Sequence, residues 1–283
     1  MDPSPGPYVD WLRGAGVPFA VDDALARDPD FDGPLVLGDE PLRSLVLRIG
    51  EGGEQEDLPP VVEHRDPAAG LTADHATQSV AREMVRRPHV EPMRPLWEIG
   101  CGTGVLASLG GLLGAVPILG TDVDPRAIAL ARRTSSDTGV EVEWLQGSLL
   151  DPIDPAEEAH LVIANLPHKP CADRSLPLSQ DGGPEGDRVF AAFAAQAARR
   201  LPAGARVLFF LHSLPHPRLL GNLSRDFDLR LLSWKRRFLA PGEYGPLAEV
   251  FRSRSRAGTS WMGEEGGREF LAAGVWSADR RGG

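Results

Sequence analysis

Two short stretches of this chain combine residue types at spacings that chemistry can use. The first, Leu96-Trp97-Glu98-Ile99-Gly100-Cys101-Gly102-Thr103-Gly104, is an apolar run that passes through a glycine-rich turn into a helical pattern. Glycine is needed where backbone takes positive φ or presses against a ligand, and a helix start offers unpaired N–H groups. Asp122, 22 residues after Gly100, closes the next apolar run, where a carboxylate can accept both hydroxyls of a ribose. No lysine follows the glycines, which excludes a phosphate-binding P-loop, and Leu106 stands where a dinucleotide fold prefers its third glycine. Glu98, an acid in an apolar strand, would repel a pyrophosphate and suits a ligand bearing an ammonium and a sulfonium. The second stretch is Asn165-Leu166-Pro167-His168, directly after Val162-Ile163-Ala164. His168, with an ordinary imidazole pKa of ~6.5, can stack, hydrogen-bond or take a proton.

These residues need elements to position them. From Pro95 onward, strand-like apolar runs alternate with helical stretches, the pattern of a parallel sheet covered on both faces. Strands are predicted at Pro95–Ile99, Val116–Thr121, Val140–Leu145, His160–Ala164 and Arg206–His212, with helices at Val105 to Ala115, Pro125 to Ser136 and Gly186 to Arg200. In the last helix Val189, Phe190, Phe193, Ala197 and Leu201 form one stripe, closed by Pro202 and Gly204. Two more strands are expected at Leu229–Phe238 and Phe270–Trp276. Ahead of the sheet, Ala76, Val80, Ala81, Met84 and Val85 predict an amphipathic helix between Thr72 and Arg87, stopping before Pro88. The remainder of residues 1–90 reads as two or more short strands with loops, including Pro34 to Leu37, Ser44 to Ile49 and a Gly/Glu stretch at Glu51 to Asp57. The expected division is a substrate or cap region at 1–70 and the main domain at 71–283.

The glycine loop resembles the first motif of class I S-adenosylmethionine (SAM) dependent methyltransferases, E/D-x-G-x-G-x-G, with Glu98, Gly100, Gly102 and Gly104 in the matching places. The resemblance implies an α/β, Rossmann-like fold with a seven-stranded, mostly parallel sheet and helices on both faces, plus a smaller N-terminal region with short strands. It also implies SAM as cofactor, with Cys101, Asp122, Val123, Ser148, Leu149 and Asn165 completing the cofactor set. Ser148 stands where these enzymes often carry an Asp that accepts from the adenine amino group. Leu149 could supply a backbone N–H and apolar contact instead. Asn165-Leu166-Pro167-His168 occupies the place of Asn-Pro-Pro-Tyr in members that methylate planar nitrogens. Such a nitrogen has a delocalised lone pair and must be held by acceptors on its two hydrogens. The Asn165 side-chain oxygen and the Leu166 carbonyl would be those acceptors, Pro167 would keep the bend, and His168 replaces the stacking tyrosine. The segment Asp181-Gly182-Gly183-Pro184-Glu185-Gly186 and the helix after it resemble the D-G-G-x-D-G segment of HemK-type glutamine amide methyltransferases, with Glu185 for the second Asp. This likeness covers about residues 95–215 and fails before residue 70, where HemK proteins carry a helical bundle. Thr72 and His75, where such enzymes often close over the cofactor, are candidate substrate-binding residues together with His168. His168 is expected to handle a proton, which favours an amine or heterocycle over a glutamine amide as acceptor.

Composition sets the outer bounds. The 283 residues are 42% hydrophobic with 32 Gly and 26 Pro, a globular composition sufficient for one large domain or two modest ones. No apolar run approaches the ~18 residues of a membrane span, and no membrane partner is expected. Two cysteines, Cys101 and Cys171, are too few for a disulfide scaffold or thiolate metal site; no metal is expected, and a reducing cytoplasm is the expected location. The net charge of −10 hides a gradient: −9 over residues 1–90, −8 over 91–190 and +7 over 191–283. Lys235, Arg236, Arg237, Arg252, Arg254 and Arg256 form a basic set read as a solvated face. The function expected from all this is a SAM-dependent N-methyltransferase acting on an amide, amine or heterocycle nitrogen of a protein, peptide or small metabolite. RNA or DNA base methylation is the alternative, supported by Asn-Leu-Pro and the basic tail but opposed by a pI near 5.2. A catalytically dead, methyltransferase-like binding module is another. The sequence does not fix the oligomeric state.

Overall fold

The computed structural model describes residues 6–22, 43–45 (backbone only) and 61–282. The expected strand at 34–37, the later part of that at 44–49 and the Gly/Glu stretch lie outside the described residues. In chain order the first elements are α1 (Gly6–Gly14), β1 (Ala20–Val21), β2 (Arg43–Leu45), β3 (Val61–Glu63), α2 (His75–Arg86), β4 (Leu96–Ile99), α3 (Val105–Leu112), β5 (Ile118–Asp122) and α4 (Pro125–Thr138). There follow β6 (Glu143–Gln146), β7 (Leu161–Ile163), α5 (Arg188–Arg200), β8 (Arg206–His212), α6 (Arg218–Leu223), β9 (Phe227–Phe238), α7 (Leu247–Arg256), β10 (Gly263–Glu265) and β11 (Arg268–Arg280). They belong to two compact units, one of residues 33–165 and 199–209, the other of 1–32, 166–198 and 210–281.

The first unit holds the glycine loop. Its strands lie in the order β8–β7–β4–β5–β6, every neighbouring pair parallel. All four residues of β4 are buried, as a parallel strand covered on both faces requires, whereas β6 at the edge alternates in exposure. Helix α4 starts where the Asp124 side chain accepts from the Arg126 N–H at 2.9 Å, with Pro125 in its first turn, and ends on left-handed Gly139. Helix α2 is capped by Asp74, which accepts from the N–H groups of Ala76 and Thr77, and of the expected stripe it buries Ala76, Val80, Ala81 and Met84 and leaves Val85 half-buried. Strand β3 pairs antiparallel with β2 and lies along α4, where the N–H groups of Val62 and His64 donate to Thr138 and Thr134 Oγ1 at 3.1 and 3.0 Å.

In the second unit the order is β1–β9–β11–β8, with β9 and β11 antiparallel over most of their length and a bulge between Val275 and Trp276. Strands β4 to β9 and β11 supply the seven expected; β1 and β10 are short additions. Both long strands extend past the expected bounds, β9 through Phe227-Asp228 and β11 through Arg268-Glu269 and Ser277–Arg280, ends rich in charged and polar residues that a search for apolar runs passes over. Helix α5 buries Phe190, Phe193 and Ala197 as expected. Helix α1 corrects the expectation of strands and loops in this region: Tyr8, Val9 and Leu12 are buried, with the Tyr8 ring against Trp261. Only nine residues long and set among prolines and glycines, α1 carries little periodic signal.

Candidate functional site

The turn after β4 places three glycines in left-handed backbone, and two of them do different work. At Gly104 (φ +72) a Cβ would lie 2.7 Å from the Trp144 ring and 2.8 Å from Ala131 Cβ, so this residue lets α3 sit against α4 and β6. At Gly102 (φ +52) a Cβ would meet nothing within 4 Å. Open space above left-handed backbone at a helix start is a cradle that a ligand can enter closely.

Two carboxylates flank this cradle. Asp122 Oδ2 accepts the Gly102 N–H and Oδ1 the Asp124 N–H, each at 2.9 Å, which fixes the side chain under the loop and leaves each oxygen a second lone pair. Glu98 Oε2 accepts the Ala107 N–H in the first turn of α3 at 2.8 Å. Burial pushes the Glu98 carboxyl up to about 8; the Ala107 bond pulls the other way and the Asp122 charge adds to the rise. Burial likewise raises Asp122, against the pull of its backbone donors. Among the described residues neither acid forms an ion pair. Paired, partly desolvated acids without a protein cation are a donor set suited to a cationic nucleoside, and SAM, with ammonium, sulfonium and ribose, fits it.

The other expected cofactor residues are placed around this loop. Cys101 is buried, its thiol raised by burial and by the nearby acids, so it fills space and is no nucleophile. Val123 keeps 49% of its surface exposed beside Asp122, an apolar surface available to a flat ring. Ser148 is exposed, and Leu149 has φ +51 with its carbonyl accepting from Thr121 Oγ1 at 2.8 Å. Thr72 and His75 are half-buried at the entry to α2.

Asn165, at the end of β7, donates from Nδ2 to Thr77 Oγ1 of α2 at 3.1 Å. Thr77 also turns toward its cap, Asp74 Oδ1, which takes the Thr77 N–H at 3.1 Å. An amide whose nitrogen is engaged in this way presents its oxygen elsewhere, as an acceptor. Sequence reasoning missed Thr77; the available signal was a polar residue on the stripe of Ala81 and Met84. It also missed Glu63, a buried acid of β3 that accepts from the Ala73 N–H and, at 3.1 Å, from Thr103 Oγ1 in the glycine loop.

In the second unit, Leu166 is buried and Pro167 half-buried, and His168 is buried rather than solvent-facing. His168 Nδ1 lies 2.8 Å from the Leu166 carbonyl, while its Nε2 accepts the His212 N–H at 3.1 Å and lies 2.9 Å from His212 Nδ1. A carbonyl only accepts, so a hydrogen bond to it takes its proton from His168 Nδ1. Both ring nitrogens are thus committed within the protein, against the expectation of proton handling. The backbone here is clamped: at Gly182, in the Asp-Gly-Gly segment, a Cβ would lie 2.7 Å from His168 Cα. His64, His89 and His160 pair with Asp137, Glu83 and Glu91. The basic set is internally matched, Arg236 with Glu265, Arg237 with Glu243, Arg252 with Glu269, Arg254 with Glu185 and Arg256 with Glu249. Such pairing leaves little net field for an acidic partner.

A Rossmann-like parallel sheet with a glycine loop after β4, an acid ending β5 and an Asn ending β7 defines a class I methyltransferase fold. In comparison with known proteins, residues 97–178 match the family described as a methyltransferase domain. Over 168 residues the chain is 33% identical to a release factor glutamine methyltransferase of Deinococcus radiodurans, covering 55% of this chain and 56% of the relative. It is 30% identical over 164 residues to a ribosomal protein L11 methyltransferase of Burkholderia multivorans, covering 58% of this chain and 53% of the relative. The chain thus spans about half the length of the curated relatives it matches. The crystal structure of a ribosomal protein L11 methylase from Lactobacillus delbrueckii superposes with a TM-score of 0.47 at 18% identity, covering 77% of this chain and 83% of that one. The likeness to HemK-type enzymes expected from the motifs is therefore present in the sequence comparisons.

Proposed function

We propose that this chain is a SAM-dependent N-methyltransferase whose acceptor is a planar nitrogen on a protein. The observation that carries the reading is the Asn165 amide, whose nitrogen is held by Thr77 so that its oxygen is left to accept from a substrate N–H. When bound, SAM supplies an electrophilic methyl group on a sulfonium. Glu98, Asp122, the Gly100–Gly104 backbone, Val123 and Leu149 would hold it, the acids facing its positive charge and ribose. Asn165 Oδ1 and the next carbonyl along the chain, that of Leu166, would take the two hydrogens of the acceptor and fix its lone pair. Orientation of this kind lowers the barrier by removing rotational freedom before reaction. An amide or exocyclic amine sheds its proton readily after methylation and needs no strong base. The committed ring nitrogens of His168 agree with that, and they favour an amide over an acceptor that must first be deprotonated. The relatives' names, a release factor and ribosomal protein L11, support a protein acceptor. Strand β3, which brings Glu63 to Thr103, belongs in this reading to the cap that selects it.

Incubating cell extract with the enzyme and methyl-labelled SAM, followed by mass spectrometry of the labelled product, tests the reading. Asn165→Ala should lower incorporation ~100-fold while leaving SAM affinity in a calorimetric titration nearly unchanged. Full incorporation by this variant would rule out a planar nitrogen held by Asn165.

A further inference from the structure

We propose that His212, at the end of β8, is a positioning residue that locks His168 as the neutral Nδ1–H tautomer and through it fixes the Leu166 carbonyl. Its meaning for catalysis rests on the methyl-transfer reading; its geometry does not. His212 directs two groups at one atom: its main-chain N–H lies 3.1 Å and its ring Nδ1 2.9 Å from His168 Nε2. The main-chain donor makes Nε2 an acceptor, since a proton there would face another proton. His212 Nδ1 must then carry hydrogen to hydrogen-bond at that distance, and the His168 proton is left on Nδ1, 2.8 Å from the Leu166 oxygen.

Packing holds this arrangement in one state. His168 and His212 are 5% and 3% exposed, so neither ring can exchange its partners for water at low cost. The Phe210 ring lies edge-on to His212 with centroids 4.9 Å apart and tilted to His168 at 5.9 Å, which restrains both χ2 angles. Behind the loop, Gly182 and Gly186 close on the His168 main chain, where a Cβ at Gly186 would come within 2.7 Å of the His168 carbonyl. The consequence is chemical as well as structural. A carbonyl that already accepts one charge-neutral hydrogen bond is held in direction and keeps a second lone pair for a substrate hydrogen. The tyrosine of the usual motif has no Nδ1–H with which to do this. Residue 168 in this chain therefore works on the preceding carbonyl, and His212 sets the proton that allows it.

The test is two-bond 1H–15N correlation spectroscopy of histidine side chains in the full 15N-labelled chain at neutral pH. The wild type should give His168 with Nδ1 protonated and Nε2 bare. His212→Phe, which keeps the main-chain donor but has no Nδ1–H, should leave Nδ1 protonated and shift the His168 Nε2 resonance, which loses one of its two donors. His212→Asn, whose side-chain amide nitrogen replaces Nδ1–H, should restore the wild-type pattern. A wild-type His168 protonated on Nε2, or unchanged His168 shifts in a folded His212→Phe, would overturn the proposal. If His212→Phe does not fold, the wild-type and His212→Asn spectra still decide it, since a tautomer-averaged His168 in the Asn variant also refutes it. SAM titration of the same samples separates the two claims: lack of SAM binding defeats the methyltransferase reading and leaves the tautomer result standing.

Discussion

Cofactor binding should release a proton, and Glu98 should be its source. In the folded chain this carboxyl is held near 8 by burial, against an ordinary value of 4.5. At pH 7 a group with pKa 8 is roughly nine-tenths protonated, while the same group in the unfolded chain is ionised. A ligand that brings positive charge against it reverses the preference and drives the proton off. Isothermal titration of SAM at pH 7 in buffers of different ionisation enthalpy should therefore give a slope of about one proton released. At pH 9, where the carboxyl is already ionised, the slope should fall toward zero, and Glu98→Gln should lose most of it at pH 7. The same group has a signature without ligand. Because its folded pKa is raised, the folded state binds the proton more tightly, so stability is fullest below 4.5 and falls as pH rises toward about 8. At neutral pH that loss is roughly 3 kcal/mol, and Glu98→Gln should not show it in urea unfolding. A wild-type proton release near zero at pH 7, or one kept by the Gln variant, would refute the assignment of a cation to this acid.

Three further outcomes follow from the geometry. Asp122→Ala removes the acceptor of the Gly102 N–H and of a ribose hydroxyl, so SAM affinity should fall tenfold or more, and an unchanged calorimetric affinity would remove the basis for the cofactor site. Thr77→Val leaves the Asn165 nitrogen without its acceptor, so methyl incorporation should fall ~10-fold with SAM binding intact, and Thr77→Ser should restore it. Gly104→Ala should cost roughly 2–4 kcal/mol in urea unfolding against roughly 1 for Gly139→Ala, since both have positive φ but only the first drives a Cβ into Trp144 and Ala131. Equal costs would mean that packing at Gly104 is not tight.

The sheet and the glycine loop were legible because each rests on signals contained in a few consecutive residues. Buried parallel strands read as apolar runs, and caps such as Asp124-Pro125 and Gly139 mark helix ends without reference to the rest of the chain. Helix α1 was not legible, because nine residues carry too few turns for periodicity to stand out from Pro and Gly neighbours. The candidate site divides in the same way. Glu98, Asp122 and Asn165 stand at strand ends, where spacing along the sequence is spacing across the sheet. Thr77, Glu63 and His212 act through partners 88, 40 and 44 residues away, and nothing in their own neighbourhoods tells of those partners. His168 was visible as a departure from its motif, but its two bonds depend on a main-chain group of another strand. The Arg-rich C-terminal third suggested a basic surface because charge counts ignore partners; the structure supplies a carboxylate for Arg236, Arg237, Arg252, Arg254 and Arg256.

The buried Glu63 carboxylate joins three stretches of chain: its own strand, the Ala73 amide just ahead of α2, and the Thr103 hydroxyl of the glycine loop. A latch of this kind converts access into a kinetic question. For the stretch bearing Thr72 and His75 to swing away from the loop, a buried acid must give up the Ala73 N–H and the Thr103 hydroxyl at one moment. Opening is then a discrete local unfolding event with its own free energy, not a gradual loosening. The Ala73 amide becomes its reporter: the rate at which that one hydrogen exchanges with solvent counts how often its bond to Glu63 opens.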